Sequence, residues 1–324
     1  MTIKEKVASI LEQNCGEFVS GQELARQLGC TRGAVWKAIK ELIKQGFEIT
    51  AVTNKGYCLE TSGDILTLGG VKKYLSDRYR ELDIRVFDCV DSTNEIIKEY
   101  AKNGESEGKV VIARQQTGGK GRLGRSFFSP KDSGLYLSIL LRPQMPMSKA
   151  MRITTCAALA VCDAIESATG SKPGIKWVND VYLNGAKVCG ILTEAAVSVE
   201  NGGFDYAVLG IGVNVYVPQG GFPKEIADVA GAVANDMVPR LKNKLAGRII
   251  SSFMDYYHDV EKGGFRRAYS ERLMWKGEDI YIIGPRGRTP CRIIDVDDEC
   301  RLEVEMENGE KRLISSGEIS IRRR

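Results

Sequence analysis

The chain has 324 residues, 43% hydrophobic and 27% charged, which is ordinary for a packed globular protein and long enough for roughly two or three domains. Its 46 basic and 42 acidic side chains leave a net charge of +4, too mild to argue for a nucleic-acid partner by itself. No apolar run approaches the ~18 residues of a membrane span, and the N-terminal MTIKEKVASILEQ lacks the continuous apolar core of a secretory leader.

Residues 1–62 read as a separate small unit. Ile3, Val7, Ile10 and Leu11 recur at helical spacing. Ser20-Gly-Gln-Glu23 is a capping box opening a helix that reaches Leu28, and Gly29-Cys30 makes a turn. Thr31 caps a third helix running to about Gln45, with Gly46 as its stop and Val35, Ile39, Leu42 and Ile43 as its buried stripe. FEITAV and YCLE then flank a hairpin at Thr53-Asn54-Lys55-Gly56. Helix, helix, turn, helix, hairpin is the order of a winged helix-turn-helix. Its third helix would expose Arg32, Lys37, Lys40 and Lys44. Recognition helices read bases from their N-terminal end, so Thr31, Arg32 and Lys37 are the candidate DNA contacts, with Lys55 at the hairpin tip. With eight basic and seven acidic side chains in this segment, charge alone favours a plain solvated face. The order of elements favours DNA, and a weak monomer charge suits a protein that binds as a dimer.

A second segment, 63–270, alternates less regularly. Strands are expected at Leu82–Phe87, Val110–Ala113, Leu135–Leu141, Ile175–Trp177, Val188–Thr193 and Tyr206–Ile211, and helices at 94–102, 148–168 and 239–259. Asn184-Gly185 signals a tight hairpin turn. Neighbouring strands with few helices predict an α+β fold on a mixed sheet. From 271 to 324, WKGEDIYIIG, CRIIDVDD, RLEVEMENGEKRLI and EISIRRR are short alternating strands, the pattern of an SH3-like β-barrel, with Arg322-Arg323-Arg324 expected as a solvated tail.

The stretch QQTGGKGRLGRSF, 115–127, contains G-x-G-x-x-G at Gly119, Gly121 and Gly124. VVIA supplies the strand that a dinucleotide fingerprint needs, but RSFFSPKDSGLYLSIL is loop and turn where the helix should start, and Gln144 stands where a ribose-binding acid belongs. A phosphate-binding P-loop fails too, because Gly121 follows Lys120 where Ser or Thr is required. What remains is a glycine-rich loop with Lys120, Arg122 and Arg125 within six residues. A flexible basic surface loop is the bland alternative. Three crowded cations directly after a buried strand fit a polyphosphate better, held by charge and backbone donors.

Three stretches accompany it. In VDSTNEI, Ser92 and Glu95 have capping-box spacing, and the same turn sets Ser92, Thr93 and Asn94 at a strand end. IKWVNDVYLNGAKVCGIL gathers an amide, a carboxylate and lysines around a hairpin. Asp180 is a reasonable Mg²⁺ or polar contact, and Lys187 is a surface lysine unless it faces the basic loop. The glycines of GIGVNV serve either a close backbone approach or a bulge. Nine cysteines form no C-x-x-C pair, which points to a reducing cytoplasm, with Cys156 and Cys162 as packing residues. A single histidine, His258, leaves the chemistry to carboxylates, amines, guanidiniums and backbone donors.

DSTN, QQTGGKGRLGR, KWVND, AKVCGILTE and GIGVNV, in that order behind a winged helix, resemble the bifunctional bacterial biotin–protein ligases that also repress biotin genes. The resemblance spans the whole chain. The family's loop usually reads G-R-G-R-x-G-R, so Lys120 keeps the charge of an arginine but not its planar fork. KWVND stands where K-W-P-N-D is usual. The resemblance implies a class II synthetase-like catalytic domain using biotin, ATP and Mg²⁺. Ser92, Thr93, Asn94 and Gln116 would line the biotin pocket. Lys120, Gly121 and Arg122 would lie over the biotin carboxylate and α-phosphate, with Arg125 on phosphates. Asn179 and Asp180 would support the nucleotide and metal, and Lys187 would bridge carboxylate and phosphate. It further implies a biotin carboxyl carrier protein as acceptor, operator DNA as a second partner, no membrane, and a homodimer formed when the adenylate binds. A lipoate–protein ligase and a ligand-sensing repressor without catalysis are the alternatives.

Overall fold

A computed structural model describes residues 2–197, 203–284, 287–315 and 320–323. The N-terminal elements are α1 (Ile3–Gln13), α2 (Gly21–Leu28), α3 (Arg32–Lys44), β1 (Ile49–Val52) and β2 (Gly56–Leu59). Each helix start follows from its cap. Thr2 and Glu5 form a full capping box, while the Ser20 and Thr31 hydroxyls accept the backbone N–H groups of Glu23 and Ala34. Such caps stabilise a helix by about 1 kcal/mol each. The Ser20 box is only half formed, because the Glu23 carboxylate turns to Arg26 and Gln27 instead. Val35, Ala38, Ile39 and Leu42 are the buried stripe of α3, whereas Ile43, expected inside, is exposed.

The middle of the chain contributes α4 (Leu68–Lys73), β3 (Ile84–Phe87), α5 (Thr93–Lys102), β4 (Val110–Ala113), β5 (Gly134–Leu141), α6 (Met151–Thr169), β6 (Gly174–Lys176), β7 (Asp180–Leu183), β8 (Ala186–Val197), β9 (Phe204–Asn214), α7 (Leu241–His258) and α8 (Arg266–Arg272). Seven strands form one mixed sheet in the order β3-β4-β5-β9-β8-β7-β6, parallel only between β3 and β4. Asn184 and Gly185 take φ of 50° and 80° and make the tight turn between β7 and β8. The Trp177–Val178 peptide is cis. α6 and α7 bury their apolar sides on one face of the sheet, and α5 packs with Val111, Leu140 and Val208 on the other. Cys156 and Cys162 are fully buried in α6, as packing residues should be, and burial raises both thiol pKa values.

The last part is a five-stranded antiparallel sheet, β13-β12-β11-β10-β14, from β10 (Asp279–Gly284), β11 (Gly287–Val296), β12 (Leu302–Met306), β13 (Lys311–Ile314) and β14 (Ser320–Arg323). The closing arginines are not a loose tail as far as they are described. Arg322 and Arg323 pair with Tyr281 and Ile280 of β10, because their backbone groups complete the ladder. Arg324, like the part of EISIRRR before Ser320, lies outside the described residues.

Candidate active site

Register puts the site on the α5 face of the large sheet. Across β5, β9 and β8, Ser138 lies beside Gly210 and Gly210 beside Leu192; one row on, Tyr136, Gly212 and Gly190 are neighbours. The glycines make room. A Cβ on Gly210 would sit 2.3 Å from Asn94 Oδ1, and one on Gly212 would sit 2.5 Å from the Phe127 ring. The GIGVNV glycines therefore serve close approach, with side chains rather than a bulge as their neighbours. Phe127 also faces Gly190 and meets Tyr136 edge-on, with centroids 6.4 Å apart.

Asn94 and Phe127 frame a cavity of about 280 Å³. Its wall includes Ser92, Thr93, Asn94, Gln116, Lys120, Gly121, Arg122, Arg125, Asn179, Asp180 and Lys187, every ligand and phosphate contact expected from the sequence. Four separate stretches of chain are thus brought to one place. Ile226, Val229 and Ala230 close one side, where the backbone of Lys187 pairs with Val229 and Gly231.

The floor is a connected polar network. The Thr93 N–H and hydroxyl both donate to Gln116 Oε1, at 2.9 and 3.0 Å. Gln116 Nε2 donates to Ser129 Oγ. The Ser138 hydroxyl lies 2.7 Å from Thr93 Oγ1 and 2.6 Å from Asn94 Oδ1, and Asn94 Nδ2 donates to Glu194. Buried polar groups joined this way hold one arrangement, because breaking any link strands a desolvated partner. Ser138 and Glu194 were not singled out from the sequence. The signal for Ser138 is a hydroxyl in the otherwise apolar strand GLYLSILL; Glu194 is the acid that ends the apolar run of GILTE.

The expected capping box at Ser92 does not form: its side chain makes no cap hydrogen bond. Glu95 is drawn away by charge, its Oε1 accepting from Lys120 Nζ at 2.6 Å and Lys98 Nζ at 2.8 Å. Those two ammonium groups lower the Glu95 pKa to about 2. The basic loop is a hairpin whose feet are Gly119 and Phe127, with Leu123 and Gly124 at positive φ near its tip. Arg122 Nη1 donates to Asn179 Oδ1 at 3.0 Å, and Asn179 Nδ2 donates to the Ile191 carbonyl. Desolvation lowers the Arg122 pKa, opposed by Asp180 and aided by Arg125. Lys187 Nζ is 2.6 Å from Asp180 Oδ1, an ion pair not aligned as a hydrogen bond. Among the described residues no group of three or more His, Cys, Asp or Glu could hold a metal ion, so Asp180 fits Mg²⁺ only as one ligand beside a substrate's phosphates.

A second surface lies at the other end of the chain. Arg32, Gly33 and Trp36 of α3 face Ala51–Asn54, Gly56 and Tyr57 of the hairpin across a groove. Thr31, Arg32, Lys37 and Lys55 are exposed, but of these only Arg32 lines the groove. Thr31 spends its hydroxyl on the α3 cap, and the Lys55 ammonium sits 5.8 Å from the Phe18 ring centroid. Trp36 is the residue the sequence reading missed: it is 49% exposed, with Lys40 Nζ 4.0 Å above its ring. Arg32, Trp36 and Lys40 follow at i, i+4 and i+8, and a large aromatic that leaves the helix core at that spacing was the available signal.

Three family models match the chain: an HTH domain over residues 4–58, the biotin/lipoate A/B protein ligase family over 86–214, and a biotin protein ligase C-terminal domain over 291–322. The biotin protein ligase of Aquifex aeolicus, solved with biotin and ATP, superposes with a TM-score of 0.63 at 28% identity, covering 75% of this chain and 99% of that one. The bifunctional ligase/repressor BirA of Escherichia coli is 31% identical over 66% of this chain and 64% of its own length. The Bacillus spizizenii protein of the same name is 33% identical over 97% of this chain and 98% of its own length. With likeness of that depth running from the winged helix to the last sheet, the chain belongs to the bifunctional biotin ligase/repressor family.

Proposed function

We propose that the chain is an ATP-dependent biotin–protein ligase that also acts as a biotin-responsive repressor. The observation that carries this reading is the convergence of Lys120, Arg122 and Lys187 on one cavity whose floor is the Thr93–Gln116–Ser138–Asn94 network. The first step joins two anions. Biotin's carboxylate attacks the α-phosphorus of ATP, biotinyl-5′-AMP forms, and pyrophosphate leaves. A carboxylate is ionised at neutral pH and needs no base, which suits a chain with one histidine. The obstacle is electrostatic, and preorganised cations address it. Arg122, partly desolvated and held by Asn179, is aimed before the ligand arrives. Asn179 and Asp180 would support the nucleotide, with Asp180 as the protein ligand for a Mg²⁺ that neutralises phosphate charge when bound. Arg125 lies near the phosphates, and Gly121 lets the loop backbone come close. Ser92, Thr93, Asn94 and Gln116 hold the biotin end.

In the second step the neutral amine of a lysine on a biotin carboxyl carrier protein attacks the acyl carbon, gives up a proton and displaces AMP. Positioning of that amine dominates the rate. For repression, two winged helices must meet two operator half-sites. A homodimer through the sheet fits this: among the described residues, 192–197 of β8 have a strand partner, β9, on one side only. A cytoplasmic setting agrees with the free cysteines. We also propose unit boundaries near residues 62 and 270.

The test is incubation with labelled ATP and biotin, following acyl-AMP and pyrophosphate, with lipoate as competitor. Arg122→Ala is expected to slow adenylate formation by about 10²–10³-fold, the loss typical of one preorganised donor. Near-normal adenylate formation would remove Arg122 from the mechanism, and preferential use of lipoate would replace the substrate.

A further inference from the structure

The loop lysine that stands in for an arginine already has a counter-ion. Lys120 Nζ is 2.6 Å from Glu95 Oε1, with side chains 45% and 39% exposed. Glu95 is not isolated. The same Oε1 accepts from Lys98 Nζ at 2.8 Å, Lys98 Nζ donates to Glu194 Oε1 at 2.7 Å, and Glu194 Oε2 accepts from Asn94 Nδ2 at 2.8 Å. A chain of alternating charge therefore runs from the cavity floor at Asn94 to the loop at Lys120. Both Lys120 and Asn94 line the cavity.

We propose that Glu95 is a resident counter-ion that occupies Lys120 in the empty site and that an incoming substrate carboxylate must displace. The inference rests on the proposed ligase reading, in which the acid approaches Lys120. The exchange is one carboxylate for another on one ammonium, so little net charge is desolvated. Lys98 makes it practicable: when Lys120 turns to the substrate, Glu95 keeps one ammonium partner and is not left bare. Lys120 can change partner because a flexible stem carries a rotatable point charge, whereas an arginine fork would be committed to one geometry. The cost is affinity, since the substrate competes with a carboxylate tethered beside its own binding cation. Glu95 is thus a positioning and affinity-setting residue, not a catalytic one.

The experiment uses the full chain and two probes, biotin and its primary alcohol analogue biotinol, which lacks the carboxylate. Glu95→Gln keeps the shape and removes the charge. It is expected to bind biotin about three- to fivefold more tightly, the range for a partly exposed ion pair, and to bind biotinol as the parent does. In a Lys120→Gln background the same substitution is expected to leave biotin affinity unchanged. Equal shifts for acid and alcohol, weaker biotin binding, or an undiminished gain without Lys120 would each overturn the proposal. Glu95→Ala, measured the same way, covers a fold-specific failure of the glutamine variant. A parent chain that bound biotin but formed no adenylate would defeat the ligase reading instead.

Discussion

The large central sheet is joined to its two neighbours in different ways. Toward the C-terminus the apolar core does not stop. Ile280, Ile293, Val296, Cys300, Leu302, Val304 and Ile321 belong to the same buried cluster as α6, α7 and the seven-stranded sheet. Buried polar contacts seal that joint: Trp177 Nε1 donates to the Cys300 carbonyl, and Arg152 reaches the carbonyls of Val260, Glu261 and Asp298 and the Glu299 carboxylate. Toward the N-terminus there is a break. Val7, Leu11, Leu24, Val35, Ile39 and Leu42 form a separate cluster. The bridge there is polar. Arg114, at the end of β4 and just before the basic loop, donates to the Gln45 carbonyl that closes α3 and to Asp88 and Asp132. Glu12 packs on Gly69, beside Thr67 and Gly70. A shared core makes two sheets one cooperative body, while a polar seam lets two bodies keep their own stability and change their mutual pose.

Three substitutions separate these joints, in order of expected effect. Arg152→Ala removes the buried cation from the partly exposed Glu299 carboxylate and strands several carbonyls, and is expected to cost about 3 kcal/mol. Denaturant titration should show one shifted transition for the sheets together; a separate early loss of the C-terminal sheet would show that its core is not shared. Trp36→Ala is expected to weaken operator binding roughly tenfold, about 1.4 kcal/mol, while adenylate formation stays at the parent rate. A parallel loss of ligation would mean the polar seam is stiffer than its contacts suggest. The smallest effect is a pH slope. Burial raises the Glu12 pKa from the ordinary 4.5 to about 7, against hydrogen bonds from Thr67 and Gly70. The folded state then holds a proton that the unfolded state has released. The contribution of Glu12 to stability is therefore fully present below about pH 4.5, is lost as pH rises toward 7, and levels off above it. Glu12→Gln should flatten that slope in a pH series of thermal melts; an unchanged slope would assign it to another group.

What could be read from the sequence was local. The Thr31 cap, the Gly46 stop, the Asn184-Gly185 turn and the strands around the basic loop depend on residues within a few positions of one another, and they appear where expected. What escaped depended on distant partners. Glu95 has the spacing of a capping residue, but Lys120, 25 positions away, outbids a backbone N–H. α4 is absent from the expected helices; its LGGVKK carries two glycines, and Asn243 of α7 accepts the Thr67 N–H beside its start. Ser138 looks like a defect in an apolar strand until register sets it under Thr93 and Asn94. Arg32, Lys37 and Lys55 follow from charge and from position on the helix or hairpin, and neither says which side chains share a groove with Trp36.

The Phe127 ring set over Gly190 and Gly212 has a mechanical consequence. It fastens one foot of the basic hairpin to the sheet, and the Phe127 N–H donates to the Gly119 carbonyl on the other foot. Residues 120–126 thus form a short arc tied at both feet. An arc tied so close to the sheet keeps the three cations it carries, Lys120, Arg122 and Arg125, on the wall of the cavity.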